Sequence, residues 1–233
     1  MISSRPMNTT LMRKLTDNIT LNALRYGGLL PKHQVIVDRH TANLATVLGQ
    51  WDGRLGWLQP PPPNASPETV LELNYIVEGQ HLASKEDIAF GISIDKARNH
   101  YAWWAREATS ITGKRHSPEK FDLIADMSEG FLMHLKGHFD RARPYQLGPL
   151  LGKKIQMFVS DPRTPAYPSG HAFEAYLFAL VLGDEHPRYA PEFLALADTV
   201  GATRIVGGVH YPTDITAGRN AAIIAHDIIR GMG

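Results

Sequence analysis

The chain has 233 residues, a formal charge of +1 at neutral pH, 43% apolar and 20% charged residues, and no cysteine. These values bound it to one large globular domain, or one domain with an extra arm, and exclude disulfides, thiolate metal sites and a cysteine nucleophile. A charge this near balance argues against a partner held by bulk electrostatics, so no nucleic acid is expected.

Residues 1–20 have no continuous apolar run behind their basic residues and do not read as an export signal. No window reaches the roughly 18 apolar residues of a membrane span. The chain as written therefore reads as cytoplasmic, or as periplasmic if a signal peptide was removed. The stretch His33–Asp38 (HQVIVD) reads as a short strand or as part of an N-terminal arm. Gln59–Glu68 holds the successive prolines Pro60 to Pro63 and cannot be helix interior. It closes an arm and link over residues 1–66 and opens a helical body over 67–233, within a single globular unit. Helix starts then recur. Ser66-Pro67-Glu68 opens one to about Glu78, Ser84 with Asp87 one to about Thr109, and Ser117-Pro118-Glu119 one to about Gly137. In each, Ser caps and an early carboxylate suits the helix dipole; in the first and third, Pro takes the first helical position. Further helices follow at about 170–182, 191–203 and 212–230, the last two opened by Pro191 and Pro212. Short links between six helices predict an all-α fold: a helical bundle with a four-helix-bundle core, additional helices and an irregular N-terminal arm.

Three polar segments do not fit a plain bundle. In Leu132–Gln146 (LMHLKGHFDRARPYQ), Lys136 and Arg143 are about two helical turns apart and share a face if the helix runs on, although Gly137 and Pro144 interrupt it. A solvated basic helix end is the plainer reading. In Pro168-Ser169-Gly170-His171, Ser or Gly caps the apolar run Ala172–Leu182, which Gly183 stops. His171 falls in the first turn, where free N–H groups and the helix dipole attract anions. In Gly201–Gly218, Arg204 ends one helix, Gly207-Gly208 make a turn, and His210 precedes the helix opened by Pro212. Asp214 follows one turn later; its carboxylate can hold one ring nitrogen of His210 and leave the other exposed and basic, or the two form a local capping pair. Together the segments supply three cations, two imidazoles, an orienting acid and a helix N-terminus, an inventory for holding and attacking a tetrahedral oxyanion.

The series Lys136-x6-Arg143-Pro144, Pro168-Ser169-Gly170-His171 and Thr203-Arg204-x5-His210-x3-Asp214 resembles the three-part signature of the type 2 phosphatidic acid phosphatase and vanadium haloperoxidase superfamily, closest in kind to soluble bacterial class A acid phosphatases. Thr203 stands where the family usually has Ser and keeps the hydroxyl. The resemblance implies an acid-phosphatase-like, metal-independent hydrolase of phosphate monoesters. His210 would be the nucleophile that forms a phosphohistidine, Asp214 its orienting acid, and His171 the general acid and then base. Lys136, Arg143 and Arg204 would grip the non-bridging oxygens, with Ser169 and the Gly170 N–H donating to them. No metal and no cofactor is called for, and the partner is a small phosphorylated substrate, with a homo-oligomer open. The runner-up is a vanadate-dependent haloperoxidase, with vanadate as cofactor: Pro165–Ala172 (PAYPSGHA) is similar to that branch, while Gly208–Asp214 (GVHYPTD) is similar to the phosphatases. Haloperoxidases are also much longer chains. A third reading is a non-catalytic bundle that keeps the site as a relic. His33, His40, His81, His100, His116, His134, His138, His186 and His226 read as structural or surface residues, with His138 notable for lying between two cations. Trp103-Trp104 reads as core.

Overall fold

The expected helix starts at Ser66, Ser84 and Ser117 are present in the structure, a computed structural model that describes residue 18, residues 20–38 and residues 58–231, although the Ser117 side chain makes no capping hydrogen bond. After a helix at 31–38 (α1), the chain forms α2 (Pro67–Leu82), α3 (Lys85–Ser93), α4 (Ala97–Thr112), α5 (Pro118–Phe139) and the short α6 (Pro144–Leu147). An irregular stretch then leads to α7 (Gly170–Glu185), α8 (Ala190–Val206) and α9 (Pro212–Gly231). The described residues contain no strand. Ser66 caps α2 by accepting from the Thr69 N–H, and Ser84 and Asp87 form a reciprocal capping box at α3.

Three local expectations are corrected. The strand reading of His33–Asp38 fails: the segment lies in α1, with adjacent Ile36 and Val37 both turned to the core and Val35 exposed. Two inward neighbours fit a helical period, not an alternating one. The single helix expected from Ser84 to about Thr109 is two helices. The Ser93 hydroxyl donates back to the Phe90 carbonyl, Ile94 drops into the core, and Asp95 leaves the helical path to meet side chains from distant segments. Gly183 does not stop α7; it lies inside it, where its missing side chain lets Ala190 approach. His40 lies outside the described residues.

The core forms around α7, which is apolar on nearly every side and packs along α8 and α9. Phe178 sits 5.0 Å from Phe121 and 5.8 Å from both Trp104 and Tyr101, ring centre to ring centre. Each buried aromatic side chain contributes about 1.5–3 kcal/mol through lost water contact. Trp103 and Trp104 are both buried, as expected of core residues. No helix among the described residues is long and apolar enough to cross a membrane.

One close approach sets the start of α7 against α9. The Ser169 N–H donates to the Asp214 carbonyl at 2.9 Å. A Cβ on Gly218 would stand 2.8 Å from the Ser169 carbonyl oxygen and 3.0 Å from the Phe173 nitrogen. Both obstacles are backbone, so Gly218→Ala is expected to destabilise the protein by about 1–3 kcal/mol in denaturant titrations. Gly79→Ala, where nothing lies within 4 Å, should be neutral or stabilising by about 0.5–1 kcal/mol. Equal stability of the two variants would mean that α9 does not need this contact.

Candidate active site

The residues singled out from the three segments converge on one cavity of about 290 Å³, lined by Lys136, Arg143, Gly170, His171, Arg204 and His210 among others. Ser169 and Asp214 stand directly behind its wall, both fully buried. Lys136 and Arg143 do not share a helical face. The helix ends at Phe139, Asp140 takes a left-handed conformation (φ 42°), and Arg143 becomes the residue before α6. The Asp140 carboxylate accepts from the Gly27 and Gly28 N–H groups, which ties the N-terminal segment to this turn.

The irregular stretch before α7 supplies carbonyl oxygens to the cations. Lys136 Nζ donates to the carbonyls of Pro165 (2.8 Å) and Pro168 (2.7 Å). Arg143 donates to the carbonyls of Thr164, Pro165 and Val209, and to the Thr164 hydroxyl. Burial pushes the Lys136 amine well below its usual range, and the Arg143 guanidinium beside it adds to the effect. Arg143 itself is lowered to about 10, by burial foremost, with Asp214 opposing. Arg204 is held differently. One nitrogen donates to Asp95 Oδ1 at 3.1 Å, while its Nε and second terminal nitrogen are buried with no hydrogen-bond partner among the described residues.

The two histidines have assigned tautomers because their neighbours can act in one sense only. A guanidinium donates and never accepts. Arg143 lies 2.9 Å from His210 Nε2, so that nitrogen carries the lone pair and the proton sits on Nδ1, 3.2 Å from Asp214 Oδ2. A carbonyl only accepts, so His171 Nε2, 3.1 Å from the Asp95 carbonyl, carries its proton. Both imidazoles are biased strongly toward the neutral form: His210 by burial and then Arg143, His171 by burial and then Arg204. The expectation that His210 leaves one nitrogen exposed needs refinement: that nitrogen is basic but already engaged by Arg143.

Ser169 is the expected cap. Its hydroxyl accepts from the Ala172 N–H at 3.4 Å and caps α7, while Gly170 and not Ser169 lines the cavity. His138 is exposed on the outer side of α5, away from the cavity, beside the Pro60–Pro63 segment.

Residues unmarked in the sequence complete the site. Asp95 binds Arg204 and His171 and also accepts from the Ser160 N–H at 3.2 Å. Arg141 is buried behind His210, 2.6 Å from Asp214 Oδ1 and 2.9 Å from Glu72 Oε2, with its guanidinium 3.8 Å over the Tyr211 ring. Glu72 also accepts from the Thr213 N–H and hydroxyl, both at 2.7 Å. Burial alone would raise the Asp214 carboxyl; Arg141, His210 and the Tyr211 N–H override it and bring the pKa down to about 2.

With this geometry in view, residues 123–229 match the family described as the PAP2 superfamily. Over 84 residues, 36% of this chain, the sequence is 33% identical to a lipid A 1-phosphatase of Rhizobium etli, over 36% of that protein. It is 39% identical over 84 residues to a non-specific acid phosphatase of Salmonella typhimurium, over 36% of this chain and 34% of that protein. The match thus spans about a third of the length of these curated relatives. A bacterial vanadium-dependent iodoperoxidase superposes with a TM-score of 0.53 at 18% identity, over 73% of this chain and 52% of that one, a likeness of fold.

The carboxyl of Asp214 stands at about 2 in the fold against 3.8 free. Because the folded value is depressed, its contribution, about 2 kcal/mol, is fully present above about pH 5 and disappears as the pH falls through about 2. Asp214→Asn removes it. The gap in unfolding free energy between wild type and variant is therefore expected to close by about 2 kcal/mol between about pH 5 and pH 2. A gap independent of pH would show that Asp214 is not held ionised.

Proposed function

We propose that this chain, which carries a PAP2 superfamily domain over residues 123–229, is a metal-independent phosphatase that hydrolyses phosphate monoesters through a phosphohistidine. The observation that carries the reading is Arg204: a buried guanidinium at the wall of the cavity that also holds Lys136, Arg143 and His210, with two donors unpartnered among the described residues. A buried cation with idle donors is costly unless an anion completes its shell. A phosphate fits: its non-bridging oxygens can take Arg204, Lys136 and the N–H of Gly170 at the α7 N-terminus.

In this reading His210 Nε2 exchanges its contact with Arg143 for the phosphorus atom. Its lone pair forms the P–N bond, the ester P–O bond breaks, and the leaving oxygen takes a proton from His171. The Nδ1 proton stays on the Asp214 side, so the positive charge gained by the ring faces a carboxylate. His171 then takes a proton from water, the resulting hydroxide attacks phosphorus, the P–N bond breaks, and inorganic phosphate departs. An anion beside His171 offsets the bias that Arg204 imposes on it and favours the protonated form needed for the first step. The cations supply the charge stabilisation that a metal gives elsewhere.

The test is a substrate panel in chelator, covering p-nitrophenyl phosphate, alkyl phosphates, nucleotides and phosphatidic acid. Turnover of phosphomonoesters is expected, with orthovanadate inhibiting competitively as a mimic of the five-coordinate transition state. His210→Ala should lose at least about a thousandfold in kcat while inorganic phosphate still raises the melting temperature. Near-normal turnover in that variant would remove His210 as nucleophile. Halide oxidation in added vanadate and peroxide, with no ester hydrolysis by the vanadate-free protein, would move the assignment to a haloperoxidase. For His171→Ala, the loss in kcat should be at least about tenfold smaller with p-nitrophenol as leaving group than with an alkyl alcohol. Equal losses would rule out proton donation by His171.

A further inference from the structure

The cavity that gathers three cations also carries a carboxylate on its wall, and the phosphatase reading leaves it without a task. Glu174 lies in α7, three residues after His171 and four after Gly170, and its side chain opens to the cavity. Of the other acids of the site, Asp95 is matched to Arg204, and Asp214 and Glu72 to Arg141. Glu174 has no cation within ion-pair distance among the described residues; its neighbours are His100 and Tyr101.

Those neighbours form a support that reaches into the core. The Trp104 indole N–H donates to His100 Nε2 at 3.0 Å, in a fully buried pair. An indole N–H cannot accept, so His100 Nε2 holds the lone pair and its proton lies on Nδ1. That Nδ1 stands 3.4 Å from Glu174 Oε2, close enough for charge attraction, and makes no hydrogen bond among the described residues. Tyr101 is pushed above its ordinary range by burial and then by the charge of Glu174. Glu174 thus faces a buried imidazole and a phenol at the cavity wall, and the indole fixes the imidazole. The His100 ring also lies 5.2 Å from the His171 ring, centre to centre, which keeps this support in register with the proposed acid.

We infer that Glu174 forms a leaving-group subsite for a short alcohol bearing an ammonium group. This rests on the phosphatase reading and deepens it. The helix supplies the spacing. A phosphate at the Gly170 N–H and a group at Glu174 are separated by four residues, about 6 Å along the α7 axis. That is the reach of a phosphorylated two-carbon or three-carbon amino alcohol. A carboxylate with two neutral neighbours gains from a cation and repels a second phosphate, so di- and triphosphates are poor substrates at this wall. The other charged groups at the mouth do not cancel the preference. Lys136, which feels the Glu174 charge, is bonded to the Pro165 and Pro168 carbonyls; Lys96 Nζ donates to Ser160 Oγ, and Asp161 adds negative charge.

Binding of phosphoethanolamine and of its uncharged analogue n-propyl phosphate, measured by calorimetry on wild type and Glu174→Gln, tests the subsite. Inorganic phosphate serves as the reference ligand. Wild type is expected to bind phosphoethanolamine about tenfold more tightly than n-propyl phosphate, and Glu174→Gln to bring that ratio near one. The kcat/KM ratio for the two esters should move in parallel. A wild-type ratio near one, or a ratio that survives the substitution, overturns the subsite while phosphate binding and turnover keep the phosphatase reading. If inorganic phosphate does not bind wild type, the phosphatase reading falls and the subsite with it. His100→Asn, which removes the support but leaves the carboxylate, should lower the ratio in part. If it changes nothing, the buried chain is structural only.

Discussion

Buried positive charge matched mainly by neutral oxygens is the constraint on which this structure turns. Lys136 and Arg143 are almost entirely removed from water, yet their direct partners include no carboxylate. They are solvated by the carbonyl groups of residues 164, 165, 168 and 209. Carbonyl dipoles satisfy donors without cancelling charge, so the cavity stays positive while its cations remain fixed. The same bonds order the chain. Residues 152–169 contain little regular structure, yet their carbonyls converge because two cationic side chains collect them. Substituting acids for those carbonyls would hold the cations as firmly and abolish the attraction for an anion.

Asp214, Glu72 and Asp95 orient their partners, while Glu174 and Asp161 stand on the cavity wall itself. Asp214 and Glu72 flank Arg141 behind His210, and this buried layer is closed on itself through Thr213 and the Tyr211 N–H. Its effect is directional: Asp214 offers one oxygen to Arg141 and the other to His210, so the imidazole proton is drawn away from the cavity and the lone pair faces it. Asp95 restrains one edge of Arg204 and leaves two donors idle. Two carboxylates therefore set the orientation of His210 and Arg204, Asp214 from behind the cavity wall and Asp95 from its lining.

Most of the helical scaffold was legible because its signals are local. Ser66, Ser84 and Ser169 cap the helices they precede, and Pro67, Pro118 and Pro212 lie in first turns. The three cations and two histidines were legible as a set because each stands near a helix end with no plain packing role. What escaped notice depends on tertiary contact. Asp95 sits in a segment whose pattern continues a helix, and only Arg204 and Ser160, from far along the chain, explain why the helix breaks there. Arg141 and Glu72 have ordinary surface identities in sequence; each is buried only because the other is present. The convergence of Lys136 with Arg143 was expected from a shared helical face and comes instead from a chain reversal at Asp140.

The placement of α7 links these layers. Its N-terminus meets the cavity through Gly170, its first turn carries His171, and its second carries Glu174, so one rigid element sets the distances among the proposed anion site, the proposed proton donor and the wall carboxylate. Rigidity comes from the apolar body of the helix, with Phe173, Leu177 and Phe178 fully buried, and from the contact of its start with α9 at Gly218. The nucleophile candidate belongs to the other partner, since His210 and Asp214 stand at the start of α9. The Ser169 N–H bond to the Asp214 carbonyl joins the two starts directly. A shift of α9 against α7 would therefore move His210 relative to His171 and the phosphate together, and a displacement of about 1 Å is enough to cost on the order of a hundredfold in rate. Close packing without a side chain at Gly218 is thus a condition for the chemistry as much as for the fold.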